Sequence, residues 1–188
     1  MTKQISDILV CNEREYYLNR SPLEPFFKKF ADKKPETKTV CTALWRGYFA
    51  TYEIKDNQLY VRDLEILSGV SLEMESILGK IFPNNGKYEW YSGLIRIDDF
   101  RGEFDEEEPS SMFEFLEILK GDFIKKRTMS YEELQIFKKL QFDYFKRTEE
   151  YQEVFSMWKN NNKGMEDSKI DETIAEYILN YTREVFAD

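Results

Sequence analysis

The feature that most restricts the fold is a change of hydrophobic period near residue 130. Before it, apolar side chains recur at every second position, the repeat of a strand whose side chains alternate between two faces. Tyr48, Ala50, Tyr52 and Ile54 form the clearest such run. After Ser130 the repeat lengthens toward about 3.6 residues. Leu134, Phe137, Leu140, Tyr144, Tyr151, Phe155 and Trp158 fall at near-helical spacing, and Ile174, Tyr177, Ile178, Tyr181 and Val185 mark a second stripe. Strand patterns followed by helix patterns indicate the α+β class. The expectation is an antiparallel, mostly meandering β-sheet over residues 7–127, short helices near 22–31 and 72–81, and two C-terminal amphipathic helices packed on the sheet. A length of 188 residues with 15 Phe, 12 Tyr and 3 Trp fits one domain, 1–188, sheet-rich at 7–127 and helical at 130–186.

Local signals refine this outline. Ile8–Cys11 and Tyr16–Leu18 flank the polar stretch Asn12-Glu13-Arg14-Glu15 and read as a hairpin. Pro22 and Pro25 suit the first turn of a helix running to Ala31, stopped by Lys33-Lys34-Pro35. Val40 to Trp45 and Tyr48 to Lys55 read as strands. Asp56-Asn57, which tolerate the positive φ of a two-residue turn, lead into the returning strand at Leu59-Tyr60-Val61. Ser71 precedes Leu72, Met74, Ile77, Leu78 and Ile81, spaced for a helix that ends at Pro83-Asn84-Asn85-Gly86. Tyr88 to Ile97 is strand-like, and Met112 to Leu119 with Phe123 to Lys126 forms a hairpin across Lys120-Gly121. Ser130-Tyr131-Glu132-Glu133 fits a capping box, and Asn160-Asn161-Asn162-Lys163-Gly164 stops the helix that follows.

Charge is unevenly spread. The net charge is −9, and the window from Asp98 to Glu117 holds nine carboxylates (Asp98, Asp99, Glu103, Asp105, Glu106, Glu107, Glu108, Glu114, Glu117) against Arg101, a local −8. Such a surface repels phosphate backbones and anionic headgroups, which argues against nucleic-acid and membrane binding and for a basic protein partner. Glycine and hard oxygen donors in this run also raise a divalent cation, but the spacing of an EF-hand is absent and a solvated acidic loop is the plainer reading. The N-terminus lacks the basic and apolar regions of a signal peptide and no apolar stretch could span a bilayer, so a cytoplasmic location is expected. Cys11 and Cys41 lack metal-ligand spacing and read as buried, reduced thiols.

The absence of histidine removes Ser-His and Cys-His nucleophile systems in their usual form, which leans the reading away from an enzyme. Gly79-Lys80 is no phosphate loop, because Ile81 stands where Ser or Thr is needed and Met74 where the first glycine belongs. No cofactor is implied. Two segments combine an aromatic platform, a glycine and an arginine suited to an anion: Trp45-Arg46-Gly47-Tyr48 and Trp90-Tyr91-Ser92-Gly93-Leu94-Ile95-Arg96. Trp45, Arg46, Tyr48, Trp90, Tyr91 and Arg96 are therefore candidate binding residues, with core aromatics and surface-paired arginines as the competing interpretation.

Those segments, together with Phe49-Ala50-Thr51-Tyr52-Glu53-Ile54, Leu59-Tyr60-Val61 and Ile97, resemble a bacterial family without an assigned activity. Its pattern is W-R-G-Y, then W-E-I and L-Y-L, then W-F-S-G-x-L-R-I and a Gly-Glu pair, to which Gly102-Glu103 would correspond. The resemblance spans residues 5–127 and leaves the C-terminal helices without a counterpart. After Glu103 an acidic run replaces the aromatic, glycine-containing stretch of the pattern. The leading functional expectation is a non-enzymatic module for a basic protein, an immunity-type protein against a basic toxin being one form. The alternative is a small-molecule-binding protein, or a carboxylate-dependent enzyme acting on an anionic substrate through Arg46 or Arg96.

Overall fold

Asp56 and Asn57 have φ of 51° and 58°, the left-handed pair a tight hairpin turn requires. They join β3 (Tyr48–Lys55) to β4 (Gln58–Leu67), the centre of the sheet. The computed structural model describes residues 4–18, 20–36, 41–67, 73–84, 86–97, 112–183 and 185. Tyr48, Ala50 and Tyr52 of β3 are fully buried, as are Leu59, Val61 and Leu64 of β4. Leu64 breaks strict alternation, and the break is real: the register shifts between Thr51 and Tyr52, so Arg62 is the extra residue of a β-bulge. The bulge returns Leu64 to the face already used by Leu59 and Val61.

Around this pair, β1 (Asp7–Cys11) and β2 (Arg14–Leu18) form an antiparallel hairpin through Asn12 and Glu13, whose φ are 51° and 62°. After helix α1 (Leu23–Lys29) the chain returns so that β3 lies parallel to β1, Ile8 opposite Thr51 and Cys11 opposite Ile54. The sheet is therefore mixed, not antiparallel throughout. Further along lie β5 (Met74–Ser76), helix α2 (Leu78–Ile81), β6 (Gly93–Arg96), β7 (Met112–Leu119) and β8 (Asp122–Ser130). Among the described residues the strand order is β2-β1-β3-β4-β8-β7-β6, with β5 beside β4.

Several local expectations are corrected. Residues 41–47 turn instead of forming a strand, because they bridge from the preceding segment into the buried start of β3, with Leu44 and Gly47 amides bonded to Cys41 and Leu44 carbonyls. The helix expected at 72–81 divides: Met74–Ser76 pairs with the end of β4, and only Leu78–Ile81 is helical. An unpaired strand end next to a short segment outweighs that segment's weak helical spacing. Of Tyr88–Ile97 only Gly93–Arg96 is a strand. The preceding stretch is held to β4 by Val61 N–H donating to Gly86 O and Tyr88 N–H donating to Leu59 O.

Two compact units result: Met1–Asp105 with Phe115–Lys126, and Glu106–Glu114 with Arg127–Asp188. In the second, the Ser130 capping box opens α3 (Tyr131–Phe145). One long helix does not follow. Thr148 donates to Phe145 O at 2.8 Å and accepts from Tyr151 N–H at 3.3 Å, closing α3 and opening α4 (Glu149–Asn161) with one hydroxyl. The second expected helix lies earlier than its stripe: α5 is Asp167–Glu176 and holds only Ile174 of it, Ile178 falls in a 3-10 turn at Ile178–Asn180, and Tyr177, Tyr181 and Val185 lie outside both. The three C-terminal α-helices thus replace the expected two. Phe145, Tyr151, Ile170, Ile174 and Ile178 make their buried core, which Trp158 joins by donating from Nε1 to Tyr181 Oη at 2.9 Å. The fold class is α+β as expected. No helix among the described residues is long and apolar enough to cross a membrane.

Gly86 gives a direct test of how β4 is held. Its φ is +76°, and a Cβ there would lie 1.9 Å from Val61 O, whereas Gly79 has open space around it. Gly86→Ala is expected to destabilise the sheet unit by about 2–4 kcal/mol in denaturant unfolding, while Gly79→Ala stays neutral or stabilises by up to about 1 kcal/mol.

Candidate functional site

Asp7 opens β1 on the same face as Leu9 and Cys11, which puts a carboxylate where an apolar residue is expected; it is fully buried. Its Oδ1 accepts from Arg46 Nη2 at 3.1 Å and from the Ala50 amide at 3.1 Å. Its Oδ2 accepts from Arg46 Nη1 at 3.4 Å and from the Tyr52 hydroxyl at 3.5 Å. Arg46 reaches it from the 44–47 turn, also donates to Ile5 O at 2.9 Å, and stacks its guanidinium 5.4 Å from the Tyr48 ring. A two-pronged guanidinium pair of this kind is the arrangement in which a buried carboxylate is best tolerated.

The polar contacts continue inward. Ser21 Oγ lies 3.1 Å from Tyr48 Oη and 3.3 Å from Tyr52 Oη, and accepts from the Leu23 amide. Tyr48 donates to Glu24 Oε1 at 2.6 Å. Tyr48, Tyr52 and Ser21 supply three hydroxyl protons for the four oxygen–oxygen contacts Glu24–Tyr48, Tyr48–Ser21, Ser21–Tyr52 and Tyr52–Asp7. With both carboxylates ionised, Ser21 has one proton for Tyr48, Tyr52 and Asp7, and so donates to one of them at a time.

Burial raises the Asp7 pKa, and the facing Arg46 charge works against that rise. Burial likewise pushes the Tyr48 and Tyr52 hydroxyls well above the ordinary tyrosine value, reinforced by Glu24 at Tyr48 and Asp7 at Tyr52. Both phenols therefore stay neutral donors across the physiological range. Since Asp7 and Tyr52 are fully buried and Ser21 nearly so, the cluster as it stands acts as a lock between β1, β3, α1 and the 44–47 turn.

Trp90 and Tyr91 belong to a neighbouring aromatic group. Trp90 packs edge-on to Phe26 at 5.7 Å and Phe30 at 6.2 Å, and Tyr91 stacks on Tyr88 at 6.0 Å. Lys29 Nζ stands 5.8 Å from the Trp90 ring, while Lys33 Nζ stands 5.6 Å from the Phe30 ring. Arg46 and Trp90 are joined through a chain of rings, Tyr48 to Phe27 at 5.2 Å, Phe27 to Phe26 at 5.5 Å, then Trp90. Trp45 is 64% exposed, and Arg96 sits on β6 opposite Phe115. The acidic residues Asp98, Asp99, Glu103, Asp105, Glu106, Glu107 and Glu108 lie outside the described residues. Cys11 is a buried free thiol, Cys41 a half-buried one outside any strand. Among the described residues no three His, Cys, Asp or Glu side chains converge as metal ligands.

Sequence reasoning found Arg46 and Tyr48 but missed Asp7, Ser21, Glu24 and Tyr52 as their partners. The available signal was Asp7 itself, an acid in register with Leu9 and Cys11.

Removing Arg46 tests the cluster through the pH dependence of stability. Arg46→Met leaves the Asp7 carboxylate buried without its cation, a loss of about 3–5 kcal/mol near neutral pH. A carboxyl whose folded pKa lies above its unfolded value stabilises the fold below the unfolded pKa and loses that contribution as pH rises through the folded one. Without Arg46 the folded pKa rises further, so the variant's deficit relative to wild type should shrink as pH falls from about 7.5 to about 5 in urea unfolding. A deficit independent of pH would assign the loss to packing alone.

No family model, no curated protein and no solved structure matches this chain, so its function is read from its own residues.

Proposed function

We propose that the chain is a non-enzymatic protein-binding module for a basic protein, an immunity-type protein that covers a toxin's cationic surface being one form of it. One observation carries the reading: −8 of the net −9 falls between Asp98 and Glu117. That segment begins after β6 and runs into β7, and these strands pair with each other, Arg96 opposite Phe115 and Gly93 opposite Ile118. Concentrated negative charge speeds encounter with a cationic partner and opposes binding to nucleic acid or anionic lipid. A cytoplasmic location belongs to the same proposal.

A second reading draws on the desolvated Asp7 beside Arg46: a small-molecule-binding protein, or a carboxylate-dependent enzyme for an anionic substrate. It requires the 44–47 turn to open, because Asp7 is fully buried. A thermal-shift screen against small anions separates the two, since a ligand specific to the native state raises its melting temperature.

For the leading reading, a partner recovered by affinity capture is measured against wild type and the D105N/E106Q/E107Q/E108Q chain. The wild-type association rate should exceed the variant's by about tenfold or more at low salt, and the gap should close as salt rises from about 0.05 to about 0.5 M. Equal, salt-independent rates would remove the proposal.

A further inference from the structure

Helix α3 carries a face that the C-terminal core leaves in solvent. Leu134, Phe137, Gln141 and Phe145 are buried on one side, while Ile136, Leu140 and Tyr144, spaced four residues apart, are 61%, 43% and 47% exposed on the other. Side chains at this spacing stack along one line of a helix. A single exposed apolar residue needs no explanation, but three in a row on one helix form a continuous stripe.

The charges beside the stripe narrow what can cover it. Glu132, Lys139, Asp143 and Arg147 are all exposed. On a helical wheel they fall within the stripe or along one flank of it. Three ion pairs among the described residues of the C-terminal unit, Lys146–Asp171, Lys159–Asp167 and Lys169–Glu172, involve none of them. Arg147 lies with its guanidinium 5.7 Å from the Tyr144 ring, at the end of the apolar line. Glu133, by contrast, is committed to the Ser130 amide at 2.7 Å.

We infer that this face pairs with the same face of a second copy of the chain, α3 running antiparallel to α3 about a two-fold axis at Leu140. In that register Leu140 meets its own counterpart, and Ile136 meets the counterpart of Tyr144. Lys139 meets the counterpart of Asp143, and Glu132 meets the counterpart of Arg147, each pair formed twice by symmetry. In a parallel two-fold pair this charged flank would face the partner's opposite flank, where Phe137 and Gln141 lie, so only the antiparallel arrangement brings the charges of the two copies together. A 15-residue helix contributes a small interface, so the association is weak and concentration-dependent.

The self-complementary charges supply the test. Sedimentation equilibrium of the full chain from about 10 μM to about 1 mM should show a reversible monomer–dimer equilibrium. Leu140→Asp should weaken it by at least about tenfold while far-UV circular dichroism stays unchanged, because the position is already exposed. Lys139→Asp and Asp143→Lys should each weaken self-association by setting like charges against each other. An equimolar mixture of those two chains should restore dimers, since both cross-pairs then join opposite charges. Charge exchange is the readout of choice because two chains of −9 also repel each other, and added salt alters both effects. A wild-type chain monomeric throughout, a Leu140→Asp chain that dimerises as wild type does, or a mixture that stays monomeric would each overturn the inference.

Discussion

The Asp7–Arg46 pair is the interaction on which the N-terminal half of the sheet depends. Placing a carboxylate in the core costs several kcal/mol of desolvation, and only a close cation with further donors offsets that cost. Here the cation comes from the 44–47 turn, one donor from the Ala50 amide of β3 and another from Tyr52, while the carboxylate itself begins β1. The pair therefore joins β1 to the 44–47 turn and the strand that follows it, across a sequence separation of 39 residues. It also sits at the start of the parallel β1–β3 pairing, a junction that no tight turn could align. Through Ser21 and Glu24 the same network reaches α1, so the helix that carries the chain across is tied to the strands it connects.

This arrangement bears on function by separating two kinds of charge. The carboxylates at Asp7 and Glu24 are taken up by internal partners, Arg46 and the tyrosine hydroxyls. The larger store of negative charge, between Asp98 and Glu117, lies in a different part of the sequence and accounts for nearly all of the net excess. This division of the charge is what the proposed binding role draws on. The α3 stripe adds a surface of another character, apolar along its middle and balanced in charge along its flank.

Much of the fold was legible because local chemistry specified it. Asp56-Asn57 announce their turn through residues that accept positive φ, the polar stretch after Cys11 and the Lys120-Gly121 pair mark two more, and Ser130 with Glu133 announces a helix start. What escaped the sequence was decided by partners distant along the chain. Alternation identifies β1 and β3 as strands but carries no information on which strand lies beside which, or in what direction. Met74–Ser76 became a strand because the end of β4 was there to pair with it. The division of the long C-terminal helix was visible in principle, since Thr148-Glu149-Glu150 has the composition of a helix start, but the apolar spacing on either side hides it. In the site, Arg46 was recognised as a residue suited to anions; its anion proved to be the chain's own Asp7.

The most direct measurement is a double-mutant cycle on that pair, using Asp7→Asn, Arg46→Met and the two together, with unfolding free energies at neutral pH. If the ion pair organises the parallel junction, the double variant should lose at least about 2 kcal/mol less than the sum of the single losses. Strictly additive losses would mean that Asp7 and Arg46 stabilise the sheet independently, and the account of this junction would be wrong.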